Sequence, residues 1–460
     1  MPALHPKVAE AAAAVPSRRQ LAWQELAFYG IAHFGMNTFT DSEWGDGTES
    51  PAVFYPEKLD CRQWAKVFKS AGMRGMILTV KHHDGFCLWP TKTTAHSVMS
   101  SPWKEGRGDV AREAAAACAE FGLKFGVYLS PWDRNAASYG TDAYNDFFKA
   151  QLRELCTAYG ELFCIWFDSA RGEGKGDKKQ AYDWQGYYDI IRELQPQAVI
   201  ADMGPDVRWV GNEAGVCRSS EWSVVPEGTA GSHYWDLGSR TALKKARDKP
   251  LVWYPAEVNV SIRSGWFYHK KDDYGVKPLS KLRDIYYKSV GANAALLLGV
   301  PPTPEGLIAA KDIDTLLSLG AQLRIDFKEN LAEDSVITDN CRLNQAHAGQ
   351  RALEPGDAYW HSGAIEKTKP ALILDLGDDY DIDKVVLREN IATGQQIESF
   401  SLWYDENTTA EGPSKWKLIE KNTVIGSGRV CRFPERRLRR LRVVVEQARG
   451  FATIKSFEAY

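Results

Sequence analysis

The sequence lacks most of the features that would place it among metal-, nucleotide- or membrane-binding proteins. Its eight cysteines, at 61, 87, 118, 156, 164, 217, 341 and 431, contain no C-x-x-C pair and no metal-ligand spacing. Several sit inside apolar runs such as Leu162-Phe163-Cys164-Ile165-Trp166, where a thiol acts as a small hydrophobe, so no disulfide framework is expected. No apolar stretch approaches the length of about 20 residues that a membrane helix needs. Met1 to Arg19 has an alanine run but not the ordered basic, apolar and cleavage regions of a signal peptide. The chain therefore reads as soluble, and a secreted or periplasmic mature form is the expected setting. Charge of one sign is also missing: 57 basic and 60 acidic residues leave a net −3, too little to gather nucleic acid or an anionic membrane. No cofactor and no obligate protein partner is indicated.

Aromatic residues are plentiful, with 16 Trp and 19 Tyr among 460 residues. Flat amphipathic rings stack on the apolar faces of sugars, although most aromatics simply fill cores. The length exceeds what one core usually supports, so two domains are expected.

From residue 28 to about 300, short apolar runs alternate with amphipathic segments. Phe28 to Phe34, Gly75 to Val80, Lys124 to Ser130, Leu162 to Asp168, Ala198 to Asp202 and Ala294 to Val300 read as strands. Asp60 with Gln63, and Gly72, bracket one intervening helix; Asp109 and Gly122 bracket another. Repeated β-then-α implies a parallel α/β architecture. His33, His82, His83, Tyr128 and Asp168 stand at the C-terminal ends of four such strands, which converge on one mouth only if the sheet closes. A doubly wound sheet would usually carry a glycine-rich phosphate turn, and none is present. The expected fold class is α/β, a (β/α)8-type, TIM-like barrel over residues 1–333.

Past Pro301-Pro302-Thr303-Pro304 and a helix-like stretch from Ala309 to Glu329, the pattern changes to short strands: Ala371 to Leu376, Lys384 to Leu387, Phe400 to Tyr404 and Leu441 to Val445. Residues 334–460 are expected to form an all-β jelly-roll sandwich. The basic run Arg436 to Arg442 reads either as an anion site or, preferred, as a polar strand or turn surface beside Leu438 and Leu441.

Retaining cleavage of a glycosidic bond needs two carboxyl groups about 5 to 5.5 Å apart. Asp168 ends an apolar strand beside an aromatic wall, though an acid there also serves as a helix cap. Glu213 lies in the glycine-flanked loop Gly211-Asn212-Glu213-Ala214-Gly215, where reduced solvation would favour its protonated form; a solvated loop acid is the plainer reading. His82 and His83 could chelate a metal only if the chain leaves the strand there; otherwise they donate to sugar hydroxyls or serve structure. Glu43-Trp44 could pair hydroxyl binding with ring stacking, or be ordinary surface.

His33-Phe34-Gly35, Lys81-His82-His83-Asp84-Gly85-Phe86, Tyr128-Leu129-Ser130-Pro131-Trp132, Trp166-Phe167-Asp168 and Ser261 to Tyr268, in that order and spacing, resemble the α-L-fucosidases of glycoside hydrolase family 29. The resemblance implies a retaining exo-α-L-fucosidase with Asp168 as nucleophile. His33, His82, His83, Tyr128 and Trp166 would hold fucose, Glu43 and Trp44 would add contacts, and Trp266 would face the sugar's methyl side. Trp209-Val210-Gly211-Asn212-Glu213 is similar to the subgroup cutting α-1,3 and α-1,4 linkages in Lewis-type glycans, which points to Glu213 as acid/base, with Glu257 and Glu221 as rivals. The implied partners are fucosylated oligosaccharides or glycoprotein glycans. The C-terminal segment resembles discoidin-like, carbohydrate-binding-module-like domains, with a structural or substrate-shaping role expected. Competing readings are a fucosidase of broader specificity for α-1,2 or aryl fucosides, a metal-dependent sugar isomerase or hydrolase using His82 and His83, and a glycan-binding protein without catalysis.

Overall fold

The computed structural model describes residues 4–173, 179–229, 238–365, 368–407 and 413–460. Its first sheet has eight parallel strands: β1 (Phe28–Ala32), β2 (Gly75–Lys81), β3 (Lys124–Leu129), β4 (Leu162–Phe167), β5 (Val199–Asp202), β6 (Arg208–Trp209), β7 (Ala256–Ser261) and β8 (Ala295–Gly299). They neighbour one another in the order β5-β4-β3-β2-β1-β8-β7-β6, and a parallel bridge between Ala201 and Val207 joins the two ends into a nearly closed barrel. β1, β2, β4, β7 and β8 are buried along their whole length, with helices on the outside and side chains filling the inside, as parallel sheets require. In β1, Tyr29 and Ile31 point into the barrel with Tyr128, Trp166 and Leu297, while Phe28 and Ala32 join the larger core beneath the helices.

The helices start and stop where the sequence signals them. Asp60 caps Cys61–Ser70 by accepting the N–H groups of Arg62 and Gln63, and Asp109 caps Val110–Phe121, which Gly122 ends in a left-handed conformation. Two departures matter. No helix separates β5 from β6, and a two-stranded antiparallel pair, Val224–Pro226 with Leu251–Trp253, sits between β6 and β7 in the chain. Four of the six expected strands end one or two residues early, at Ala32, Leu129, Phe167 and Gly299, while β5 ends at Asp202 as expected and β2 runs one residue further, to Lys81.

Helix Ala310–Asp326 packs on the barrel, and from Ala332 a separate core begins. There β9 (Val336–Asp339), β10 (Ala371–Arg388), β11 (Ile397–Asp405), β12 (Trp416–Asn422), β13 (Arg429–Ala448) and β14 (Ser456–Ala459) form one antiparallel sheet. A two-stranded pair, Trp360–His361 with Thr453–Ile454, covers its core face. The two short strands expected at Ala371 and Lys384 are one 18-residue strand, because β13 pairs with both ends of it and the stretch between Asp375 and Tyr380, which includes Gly377, is absorbed as a register irregularity. The basic run lies in β13, with Leu438 and Leu441 buried.

Candidate active site

At the C-terminal mouth of the barrel a cavity of about 330 Å³ is lined by His33, Glu43, Trp44, His82, His83, Tyr128, Trp166, Asp168, Glu213 and Trp266, together with Asp202, Trp209, Asn259 and neighbouring groups. A break in one strand brings the two adjacent histidines there. The β2–β3 register shifts between Thr79 and Lys81, so Val80 and Lys81 both face outward. Lys81, fully buried, donates to Asp133 Oδ2 at 3.0 Å and Gln151 Oε1 at 2.9 Å. Anchored by that ion pair, the chain leaves the sheet and turns both His82 and His83 into the cavity, with ring centroids 4.1 Å apart. Among the described residues, no three or more His, Cys, Asp or Glu side chains are grouped to hold a metal ion.

Hydrogen bonds fix what the His82 and His83 rings offer. Ser130 Oγ donates its single proton to the Trp132 carbonyl at 2.7 Å, so it accepts from His83 Nδ1 at 2.7 Å and leaves His83 Nε2 an acceptor. Asn37 Nδ2 approaches His82 Nδ1 at 3.2 Å as a donor, which leaves the proton of a neutral His82 on Nε2. Burial outweighs the pull of Asp168 and lowers the His83 pKa to about 4. Burial, then the neighbouring His83, lowers that of His33 to about 3, and burial holds His82 well below the ordinary value. Three neutral imidazoles, two of them with assigned donor and acceptor atoms, suit a polyhydroxylated neutral ligand.

Asp168 stands just past β4. Its Oδ2 accepts the Tyr128 hydroxyl at 2.6 Å and lies 3.8 Å from His83 Nε2, and its Oδ1 accepts the Ala170 N–H at 2.7 Å. Tyr128 in turn stacks on Trp166 with centroids 5.4 Å apart and planes 14° from parallel. Trp266 tilts over His33 at 4.9 Å, and exposed Trp44 meets His83 edge-on at 5.3 Å. Glu213 is exposed at the tip of its loop, which Asn212 organises by accepting the Ala214 N–H and donating to the Val216 carbonyl. The reduced solvation expected of Glu213 is therefore absent from the protein's own packing there.

The two rival acids lie elsewhere. Glu257 is buried below the cavity, its carboxyl bonded by the Tyr29 hydroxyl and by Trp166 Nε1 at 2.8 Å. Glu221 is buried in an ion cluster with Arg208 and Arg218.

Residues 14–327 match the family described as Alpha-L-fucosidase, and a glycoside hydrolase 29 family member from an unknown rumen bacterium superposes with a TM-score of 0.81 at 38% identity, over 97% of this chain and 77% of that one. The chain belongs to the α-L-fucosidase family, glycoside hydrolase family 29. Alpha-L-fucosidase 1 of Arabidopsis thaliana is 40% identical over 452 residues, 95% of this chain and 85% of the relative. A family 29 fucosidase of Ruminococcus gnavus, in complex with fucose, superposes with a TM-score of 0.85 at 28% identity over 97% and 95% of the two chains.

The cavity of this fucosidase also contains groups that sequence reasoning passed over. Asp202 ends β5 with φ +57, a strained conformation that Asp tolerates better than most residues, and its Oδ2 accepts the Ser169 N–H at 2.7 Å. Burial and then the charge of Asp168 raise its carboxyl to about 7. The available signal was an acid at a strand end, the same one that singled out Asp168. His269 was missed for another reason: it sits behind Glu43 and does not line the fucosidase cavity.

Proposed function

We propose that this α-L-fucosidase releases L-fucose with retention from α-1,3- and α-1,4-fucosylated, Lewis-type glycans, with Asp168 as nucleophile and Glu213 as acid/base. The observation that carries the reading is the setting of Asp168: a carboxylate held by Tyr128 and the Ala170 N–H, beside neutral His83, at the floor of a cavity whose rim bears Glu213. In the first step Asp168 attacks C1 of fucose while protonated Glu213 gives its proton to the departing galactose or N-acetylglucosamine oxygen, breaking the glycosidic bond and leaving a fucosyl ester. In the second, ionised Glu213 takes a proton from water, whose oxygen attacks C1 and frees Asp168. The leaving sugar itself would cover exposed Glu213 and favour its protonated form there.

His33, His82 and His83 hydrogen-bond the fucose hydroxyls in this reading, and Trp166 and Trp266 face its apolar side, with Glu43 and Trp44 completing the pocket. The linkage preference rests on the Trp209 to Glu213 loop.

Free L-fucose released from a Lewis-type trisaccharide, from an α-1,2-fucoside and from an aryl α-L-fucoside tests both parts. Release mainly from the trisaccharide is expected, and release mainly from the other two overturns the linkage assignment. Asp168→Ala is expected to abolish turnover, and Glu213→Ala to slow it by about 10² to 10⁴ with partial rescue by azide. Near-normal turnover by Asp168→Ala would exclude it as nucleophile.

A further inference from the structure

Glu43 lines the cavity, yet the protein itself already engages its carboxylate. Oε2 accepts the Trp266 N–H at 2.9 Å, and Oε1 accepts the Phe267 N–H at 3.1 Å and meets His269 Nε2 at 2.7 Å. The other imidazole nitrogen, Nδ1, meets Asp41 Oδ1 at 2.6 Å. Ionised carboxylates only accept hydrogen bonds. A neutral imidazole has one N–H and would turn its remaining lone pair toward a carboxylate oxygen; only the imidazolium donates to both.

The backbone is shaped to this arrangement. A Cβ on Gly265 would stand 2.4 Å from Glu43 Oε1, so the loop wraps the carboxylate as closely as a glycine allows. A Cβ on Gly299 would stand 2.8 Å from the Trp266 indole, so β8 leaves space for that ring where it tilts over His33. Other charged groups nearby are occupied or turned away. Asp272 accepts from Ser264 Oγ, Asp273 pairs with Arg263 and Tyr268, Asp312 pairs with Arg263, and Lys270 and Lys271 are exposed.

We propose that His269, as an imidazolium between Asp41 and Glu43, is a positioning residue for the sugar site: it fixes the Glu43 carboxylate that grips the backbone at Trp266 and Phe267, and thereby sets the Trp266 indole. The proposal rests on the reading of Trp266 as a sugar contact. Burial alone would lower the pKa of His269, but the two carboxylates outweigh it and hold it above the ordinary histidine value. Above that raised pKa the imidazole loses one of its two bonds, the loop loosens and the sugar binds less tightly.

The test measures free L-fucose affinity by tryptophan fluorescence, and KM and kcat on an aryl fucoside, from pH 6 to 9. In the wild type, affinity is expected to weaken about tenfold along an alkaline limb, appearing in KM more than in kcat, as loss of one charge-assisted hydrogen bond implies. His269→Ala should start at the weakened value and show no limb. His269→Gln, whose amide can still donate to Glu43, should fall between the two and also show none. Asp41→Asn, altered at a side chain that is 70% exposed, should keep the limb but move it to lower pH, because one of the two carboxylates favouring the imidazolium is gone. A merely structural histidine would not give that shift, and the shift can be read even if His269→Ala folds poorly. Wild-type affinity in His269→Ala, or the same limb in wild type, Asp41→Asn and His269→Gln, overturns the proposal. Failure of wild-type fucose binding to change tryptophan emission overturns the sugar-site reading instead.

Discussion

Glu257 shows how much a single residue out of reach of substrate can govern. Its carboxyl binds Trp166 Nε1 and the Tyr29 hydroxyl, and that hydroxyl in turn accepts from Trp23 Nε1 at 2.8 Å. Trp166 stacks on Tyr128, whose hydroxyl bonds Asp168, so the acid at the barrel centre orients the residue next to the proposed nucleophile through two aromatic rings. Burial raises this carboxyl from 4.5 to about 7. Because the folded pKa exceeds the unfolded one, the folded state binds the proton more tightly. The resulting stabilisation is complete below pH 4.5 and is lost as pH rises through about 7. Glu257→Gln, near-isosteric and always neutral, should therefore gain melting temperature relative to wild type between pH 5 and 8. A constant difference across that range would show that Glu257 does not titrate there. Its burial also explains why sequence alone left it a rival to Glu213: a strand acid reads the same whether it points into a cavity or into a core.

At the scale of elements, the barrel strands were legible because parallel strands covered on both faces are short unbroken apolar runs, and the caps at Asp60 and Asp109 are local chemistry. The convergence of His33, Tyr128 and Asp168 followed from strand ends alone. What was not legible depends on partners far along the chain. The β2 bulge is a register event between strands, so nothing in Thr79-Val80-Lys81 announces it. The bond between His269 and Glu43 joins residues 226 apart. The long β10 strand holds a register irregularity between Asp375 and Tyr380, and its continuity depends on the partner β13 on either side. The fit between β8 and the Trp266 loop is another such long-range match, and it can be tested directly. Gly299→Ala puts a methyl 2.8 Å from the indole, which must tilt or retreat. The expected result is a rise in KM for aryl fucoside of about tenfold, corresponding to about 1.4 kcal/mol of lost contact, with a smaller change in kcat. An unchanged KM would mean that Trp266 does not set the sugar's position.

At the scale of the whole molecule, the C-terminal sheet holds the segment that follows the Glu213 loop. Gln395 Oε1 accepts the Ser223 N–H at 2.8 Å, and its Nε2 donates to the Glu221 carbonyl at 3.3 Å. Asn293, beside the barrel, donates to that same carbonyl at 2.7 Å and accepts the Ser427 N–H at 2.7 Å. Arg449 lies over the Trp222 ring, 3.7 Å from its centroid, and Arg429 donates to the Ser219 carbonyl at 3.1 Å. Residues 219–223 are thus tied to the second domain from several directions, while Asp168, His82 and His83 belong to the barrel alone. This division predicts a selective defect. Gln395→Ala leaves a buried backbone N–H without its acceptor, at a cost of about 1 to 3 kcal/mol, and loosens the segment leading back to Glu213. Turnover of a glycan whose leaving group needs protonation should fall several-fold, while affinity for free fucose, which depends on the barrel side chains, stays at the wild-type value. Equal losses in both would mean that the second domain supports the barrel as a whole and not the Glu213 loop in particular.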